Sequence, residues 1–349
     1  MIKDDTLREG LQAPGMAFTI EEKLKLASLL KGAGIKSALV SYPSAHESEV
    51  AVTKKIVEQN IFDEVFALGR TTRGDVDTIL RTGANIALHL PFKIDDISSV
   101  YDAVKYASNS GKKVEVAIVD VIDFSLEDIE KLVRGLRENG ADVIQLPDTM
   151  GKGTPEKIRR VVNFVRGITD AEIEVHCHND SGSSIANALA GIEAGADHVD
   201  TTIFGIGERN GISDTASLVS VLSSMDVPTG IIVPKLMAVY DYLKALIVEK
   251  IGIGFFADNF PMYGKNVKIH TAGTHAAFGD VFVGNNFSVN VYTGRNMLKN
   301  ILRSEGLAVD EGKLKVLMDL AKGRSVESGK PISLIELKKM WGDIYGKSN

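Results

Sequence analysis

The sequence has a single cysteine, Cys177, among its 349 residues. An intramolecular disulfide is therefore impossible, and we expect a reducing compartment. No apolar run reaches the ~18 residues that a membrane helix requires. The first residues, MIKD, do not form a secretory signal. These absences predict a cytoplasmic protein with no membrane partner.

The sequence also lacks an excess of basic residues. Its 40 Lys and Arg stand against 46 Asp and Glu, which gives a formal net charge of -6. This balance does not favour a nucleic-acid partner, and no basic run favours an anionic membrane. The chain is long enough for one large α/β domain with an appendage, or for two domains.

A short apolar run followed by an amphipathic helix occurs eight times in the first 230 residues. The pattern predicts strands at Ile2–Thr6, Ser37–Ser41, Asp63–Leu68, Ala84–Leu90, Val114–Val119, Asp142–Leu146, Glu172–His178 and Asp197–Ile203. Strands that alternate with helices pair in parallel, and eight such units match an α/β fold of the (β/α)8 TIM barrel type. An open doubly wound sheet is the alternative, but it usually has a glycine-rich first turn, which is missing here.

The alternation of strands and helices stops after the eighth unit. We therefore predict a TIM-barrel catalytic domain over residues 1–230 and a mostly helical lid and dimerisation region over residues 231–349. The second region contains a predicted helix at Pro234–Lys250, a segment rich in Gly, Asn, Phe and His, and three further helices. We expect it to be packed and to contain no regulatory domain.

Polar residues at the C-terminal ends of barrel strands share one mouth, where chemistry takes place. His176 and His178 are two residues apart on a strand, so they face the same way and could form half of a metal site, while Cys177 points away. Glu9 would complete a set of two histidines and one carboxylate, and Arg8 would stabilise oxyanion charge. Ordinary buried histidines and a surface pair of Arg8 with Glu9 are the alternatives.

Three further segments carry candidate residues. The run GIGERNG at residues 205–211 could bind an anion or form a tight turn. His275 could act as a general base if its segment folds over the mouth, or could be a packed histidine like His270. Asp148 and Thr149 could hydrogen-bond a substrate carboxylate, and Asp148 could instead cap a helix. We assign substrate binding to Gln12, His89, Thr149, Asn179 and Arg209.

Four motifs resemble those of the 2-isopropylmalate, homocitrate and citramalate synthase family. Residues 5–12 read DTLREGLQ and resemble its D-x-T-L-R-[DE]-G-x-Q signature, and residues 176–180 read HCHND and match its H-x-H-N-D. Residues 205–212, GIGERNGI, resemble its glycine-rich loop in the homocitrate synthase wording. Residues 270–276, HTAGTHA, resemble its lid motif. The motifs cover about residues 2–300 in the family's order.

The resemblance implies a metal-dependent Claisen condensation of acetyl-CoA with a 2-oxo acid. It implies that Glu9, His176 and His178 hold a divalent ion, and Mg²⁺, Mn²⁺ and Zn²⁺ all fit such a set. Arg8 would stabilise the alkoxide product, and His275 would take the acetyl methyl proton or assist the base that does. It also implies a homodimer, which a long arm with no obvious place on its own barrel supports.

The sequence departs from the family pattern near the acceptor. Ile212 stands where isopropylmalate synthases have a metal-ligating Asn. The fifth strand lacks the Arg of homocitrate synthases and is followed by Asp120 and Asp123, an acidic rim that disfavours a second substrate carboxylate. Two other functions stay open. One is a lyase of the 3-hydroxy-3-methylglutaryl-CoA type, which needs a cysteine-bearing late loop, and the other is a non-catalytic metal-binding relative.

Overall fold

The computed structural model describes residues 1–94, 96–259, 266, 269–270 and 286–345. Its centre is a closed barrel of eight parallel strands that pair in chain order, with the first strand also paired to the last. The strands are β1 Ile2–Asp4, β2 Ser37–Ser41, β3 Glu64–Arg70, β4 Asn85–His89, β5 Val114–Ala117, β6 Val143–Asp148, β7 Glu172–Cys177 and β8 His198–Thr201. The predicted (β/α)8 barrel is confirmed.

A helix follows each strand and covers the outside of the barrel. These helices are α1 Ile20–Gly32, α2 Glu47–Glu58, α3 Arg73–Leu80, α4 Ile97–Ser108, α5 Leu126–Glu138, α6 Pro155–Arg166, α7 Ser184–Glu193 and α8 Thr215–Ser224. Local chemistry fixes their starts. At α1, the Thr19 side chain accepts a hydrogen bond from the Glu22 amide, and the Glu22 carboxylate accepts one from the Thr19 amide.

Several strands are shorter than the sequence predicts, and β5 and β8 show a physical reason. β5 ends at Ala117 instead of Val119, and β8 ends at Thr201 instead of Ile203. In each case a non-glycine residue just beyond the strand has left-handed backbone, Asp120 with φ 54° and Phe204 with φ 62°. A left-handed residue turns the chain out of the extended conformation, so the apolar run continues into the loop.

The C-terminal region continues with α9 Val233–Lys250, α10 Phe255–Asp258, α11 Arg295–Ser304, α12 Glu311–Ser328 and α13 Leu334–Tyr345. α9 packs against α1, and α11 to α13 enclose a second apolar cluster. This region contacts its own barrel: Lys322 Nζ donates to the Ala45 carbonyl at 2.9 Å, and Lys250 Nζ donates to Glu22 Oε2 of α1 at 2.9 Å. The expectation that the arm has no place on its own barrel is therefore wrong for its described part, which removes that argument for a dimer.

Among the described residues, no helix combines the length and apolar character needed to cross a bilayer.

Candidate active site at the barrel mouth

A cavity of about 650 Å³ opens at the C-terminal ends of the strands. Seven of the residues predicted from the sequence line it: Arg8, Glu9, Gln12, His89, Thr149, His176 and His178. They come from the ends of β1, β4, β6 and β7 and from the loops that follow, which are far apart in the sequence. Barrel closure therefore brings these side chains into one cavity, as the strand pattern predicts.

Arg8 is held by the short helical turn that it precedes, residues Glu9–Gln12. Its Nε donates to Asp5 Oδ1 at 3.1 Å, and its NH2 donates to the other Asp5 oxygen. Its NH1 donates to Glu9 Oε2 at 2.5 Å and to Gln12 Oε1 at 3.0 Å. Burial alone would lower the pKa of Arg8, but the negative charges of Asp5 and Glu9 raise that pKa by more than burial lowers it. The guanidinium therefore stays charged.

The glycine-rich loop after β8 positions Glu9. The backbone amide of Glu208 donates to Glu9 Oε1 at 2.8 Å. A Cβ atom on Gly207 would lie 2.7 Å from the same oxygen, so only glycine allows this approach. Within the loop, the amides of Gly211 and Ile212 donate to the Glu208 and Gly205 carbonyls. These amides therefore donate within the turn and to Glu9. Their use in these hydrogen bonds favours the tight-turn explanation over anion binding.

His176 and His178 point from β7 toward the same cavity. Their ring centroids are 5.1 Å apart, and both residues are buried. Burial lowers the pKa of His176 to about 4, so its imidazole is neutral at pH 7. Its Nδ1 lies 2.9 Å from Asp200 Oδ2, which favours the Nδ1–H tautomer and leaves a lone pair on Nε2. A carboxylate behind a histidine is the arrangement that orients metal-binding imidazoles.

A second group of potential metal ligands lies below the mouth. Ligand atoms of Asp5, His176 and Asp200 are all within 4.8 Å of one another. Asp5 is already paired with Arg8, and Asp200 with His176. Both carboxylates are fully buried and are not part of the cavity lining. Because both carboxylates already have partners, we regard Asp5 and Asp200 as supports for Arg8 and His176.

Beneath the cavity floor lies a buried polar layer that the sequence analysis missed. Gln145 Nε2 lies 2.6 Å from Glu174, 2.9 Å from Asp200 and 3.2 Å from Glu115. Because Nε2 has only two hydrogens, all three carboxylates cannot accept from it at once. Burial and then the charge of Glu174 raise the pKa of Glu115 to about 8, while its ion pair with Lys3 acts in the opposite direction. The sequence did contain a signal for this layer, because the short strands β1, β5 and β7 each include a charged residue. One of these residues is Lys3, which forms an ion pair with Glu174.

Two predicted substrate-binding residues have hydrogen-bond partners within the chain, and their assignment to substrate stays a prediction. Arg209 is completely buried, and it donates to both oxygens of Asp180, at 2.8 and 2.7 Å, and to the Thr149 carbonyl at 2.8 Å. Asn179 Oδ1 accepts hydrogen bonds from the amide and hydroxyl of Ser184 at the start of α7. Neither is part of the cavity lining that the described residues form. The guanidinium of Arg209 and the side-chain oxygen of Asn179 thus have internal partners.

The acidic rim expected at Asp120 and Asp123 does not face the cavity either. Asp123 lies outside the barrel mouth, 3.3 Å from Lys152 and 3.5 Å from Lys157, and Asp120 is buried beside Thr149. The cavity wall opposite the histidines is instead apolar: it includes Leu68, Leu90, Val100, Ala117 and Val119. The outer part is lined by Arg70, Phe92 and Lys93, which the sequence analysis did not single out although they follow β3 and β4.

Asp148 does not face substrate. Its carboxylate accepts hydrogen bonds from the amides of Lys152 and Gly153, at 2.9 and 2.8 Å, and so folds the loop before α6. Cys177 is buried with an unpaired thiol. His275 lies outside the described residues, so its predicted role as a base stays a prediction.

The chain matches a known protein family. Residues 1–243 match the family model described as HMGL-like. The chain is 33% identical over 289 residues to a probable 2-isopropylmalate synthase of Ignicoccus hospitalis, which covers 78% of this chain and 71% of that protein. It is 33% identical over 294 residues to a homocitrate synthase of Pyrococcus abyssi, which covers 79% of each chain.

Among solved structures, the HMG-CoA lyase of Brucella melitensis superposes with a TM-score of 0.62 at 20% identity, over 70% of this chain and 97% of that chain. At this identity the likeness concerns the fold alone. The family model goes further, because its match includes the segments around Arg8, His176 and Arg209. The chain therefore belongs to the HMGL-like family, and its resemblance to the isopropylmalate and homocitrate synthases is confirmed.

Proposed function

We propose that this chain is an acyltransferase that condenses acetyl-CoA with a 2-oxo acid in a divalent-metal-dependent Claisen reaction. The products would be CoA and a 2-hydroxy dicarboxylic or tricarboxylic acid. The observation that carries the proposal is that Arg8, Glu9, His176 and His178 line one cavity whose opposite wall is apolar. The names of the relatives, 2-isopropylmalate synthase and homocitrate synthase, support the same class of reaction.

Glu9, His176 and His178 would hold the divalent ion. They present one carboxylate and two imidazoles to the cavity, a donor set that suits Mg²⁺, Mn²⁺ or Zn²⁺. When bound there, an ion polarises a carbonyl oxygen and orients a chelating substrate. Glu208 and Asp200 would keep Glu9 and His176 in position through the hydrogen bonds described above.

Arg8 would stabilise the negative charge that develops on the keto oxygen of the acceptor. A guanidinium has five N–H groups, and the bonds to Asp5, Glu9 and Gln12 use four of them. The fifth could donate to a substrate oxygen. Because these bonds fix the guanidinium before substrate arrives, little reorganisation is needed as charge develops.

The polar and apolar halves of the cavity would orient the acceptor. Gln12, His89 and Thr149 line the cavity together with Arg8 and could hydrogen-bond a carboxylate. Burial lowers the pKa of His89 to about 4, so it would act as a neutral hydrogen-bonding group. The apolar wall of Leu68 and Val119 would receive the acceptor's side chain, with about 0.8 kcal/mol for each buried CH₂ group. An apolar 2-oxo acid fits this wall better than 2-oxoglutarate.

The remaining parts of the proposal rest on the sequence resemblance. His275 would be the base, or would assist it, and residues 231–349 would form the lid and the dimerisation region of a cytoplasmic homodimer. A base of this kind is needed because the α-proton of a thioester is only weakly acidic.

A lyase of the HMG-CoA type is the second candidate, since the fold superposes on such an enzyme. That reaction class would require a reactive cysteine on a late loop. Cys177 is the single cysteine of this chain, it lies on β7, and its thiol is buried. The site therefore favours the synthase.

The decisive experiment measures CoA release with a thiol reagent while the protein is given acetyl-CoA and a panel of 2-oxo acids. The panel includes pyruvate, branched and linear apolar acids, and 2-oxoglutarate, each with and without added Mg²⁺, Mn²⁺ or Zn²⁺. We expect release with an apolar acceptor and its loss after chelation. Release that chelation leaves unchanged contradicts the metal mechanism, and no release with any acceptor contradicts the synthase.

A further inference from the structure

The loop that carries Arg8, Glu9 and Gln12 has little regular structure of its own. It contains one short helical turn, Glu9–Gln12, and becomes extended at Ala13 before α1 begins at Ile20. The carbonyl groups of Leu11 and Met16 lie just beyond the reactive residues. Their hydrogen-bond partner is Asn290, a residue about 280 positions further along the chain, whose Nδ2 donates to Leu11 O at 2.6 Å and to Met16 O at 3.1 Å.

Asn290 is itself held in one orientation. Its side chain is completely buried, and its Oδ1 accepts a hydrogen bond from the Tyr292 amide at 2.9 Å. Its backbone amide donates to Thr293 Oγ1 at 2.9 Å. Turning the amide over would place Oδ1 against the Leu11 and Met16 carbonyls, where it could not donate. The described contacts therefore assign both N–H groups of Asn290 to the loop.

Neighbouring residues of the same segment add to this contact, and we call residues 288–293 the brace. Ser288 Oγ accepts a hydrogen bond from the Gly15 amide at 3.2 Å. The Tyr292 ring is buried 6.3 Å from the Tyr42 ring. The brace thus contacts the loop at two separate points, through Asn290 and Ser288, and is anchored to the barrel beside it.

We infer that Asn290 is a positioning residue, and that the brace holds the loop in the conformation that presents Glu9 to the ion and Arg8 to the substrate. The family model ends at residue 243, so this contact comes from a part of the chain outside the matched domain. The C-terminal region would then contribute to the site within its own chain. The roles of Glu9 and Arg8 in this inference rest on the proposed function.

The test uses the full-length protein and the variant Asn290→Asp, which keeps the side-chain shape but replaces the amide donor by a carboxylate oxygen. Asn290→Ala removes the donor without adding charge and is the second variant. Asn139→Asp is the matched control, because Asn139 Nδ2 also donates to a carbonyl, that of Gly135 at 2.8 Å, in the last turn of α5. Each protein is compared by hydrogen exchange of the peptide covering residues 8–18, by Mn²⁺ titration, and by kcat and KM.

In both Asn290 variants we expect faster hydrogen exchange in the peptide covering residues 8–18. We also expect Mn²⁺ to bind about 10- to 100-fold more weakly, which is the usual effect of losing a group that orients a metal ligand. The control should change neither quantity. Unchanged exchange in the Asn290 variants refutes the brace. Faster exchange with unchanged Mn²⁺ affinity refutes the positioning role. If the unaltered protein binds no Mn²⁺, the proposed function fails, and the exchange of the 8–18 peptide still decides whether the brace exists.

Discussion

Replacing Gly207 by alanine tests whether the glycine-rich loop positions Glu9. The added Cβ atom would lie 2.7 Å from Glu9 Oε1 and 2.8 Å from Glu9 Cγ. Gly207 is not among the residues with positive φ, so its backbone accepts alanine without strain of its own. The perturbation therefore falls on the Glu9 carboxylate and on its bond from the Glu208 amide.

The size of the displacement follows from the contact distances. Ordinary contact begins at 3.4 Å, so Glu9 Oε1 would have to move by about 0.7 Å. Glu9 is buried and is also bonded to Arg8, which leaves it little room to move without losing a partner. Misplacing a reacting or ligating group by ~1 Å can reduce the rate ~10²-fold, and disturbing the support of a metal ligand weakens ion binding ~10- to 100-fold.

The assay is Mn²⁺ titration together with CoA release from the preferred substrate pair. We expect Gly207→Ala to weaken Mn²⁺ binding by at least ~10-fold and to lower kcat, with little change in the melting temperature. The matched control is Gly32→Ala in α1, where an added Cβ atom meets nothing within 4 Å. It should bind Mn²⁺ normally and be more stable by about 0.5–1 kcal/mol. Normal Mn²⁺ affinity in Gly207→Ala would refute the reasoning.

Three further predictions concern buried groups. Arg209→Ala leaves the Asp180 carboxylate buried without its cation, so urea unfolding should show a loss of about 3–5 kcal/mol in the free energy of unfolding. A loss below ~1 kcal/mol, or a change in KM alone, would favour Arg209 as a substrate-binding residue. Cys177→Ala should keep kcat and ion affinity, and a thiol reagent should not inactivate the folded protein; loss of activity in either test would favour the lyase. The pKa of His176 is lowered in the folded state, so between pH 6.5 and 4 the unfolded chain binds the extra proton. The free energy of unfolding of the metal-free protein should therefore fall by up to about 3 kcal/mol over that range, and a His176→Gln variant should lose less.

The barrel and seven of the residues that line the cavity could be predicted because both depend on short-range patterns. Alternation along β7 is enough to place His176 and His178 on one face and Cys177 on the other. The rule that chemistry occurs at the C-terminal ends of barrel strands is enough to bring Glu9 and His89 to the same mouth. These inferences need the period of each element and the order of the units, which can be read along the chain.

The same patterns did not predict the internal partners of Asn179 and Arg209, because they indicate which end of the barrel a residue occupies and not which group it contacts there. Arg209 lies in the predicted loop, but Asp180 pairs with both arms of its guanidinium. The acidic rim failed for a similar reason. Asp123 follows β5 as predicted, yet Lys152 and Lys157 lie close enough to pair with it outside the cavity.

Three features depend on the closed barrel and could not be predicted from the sequence. They are the apolar wall of the cavity, the carboxylate behind His176 and the contact between the brace and the loop that carries Arg8 and Glu9. Asp200 is 24 positions from His176, Asp180 is 29 positions from Arg209, and Asn290 is 279 positions from Leu11. Residue type and spacing are sufficient for the kind of chemistry at the mouth, since donor groups and strand period are local properties. The hydrogen bonds that hold Arg8, Glu9 and His176 in place form with groups that are distant in the sequence. Only the packing of the folded chain brings such groups within about 3 Å of each other, and a pattern along the sequence does not indicate these distances.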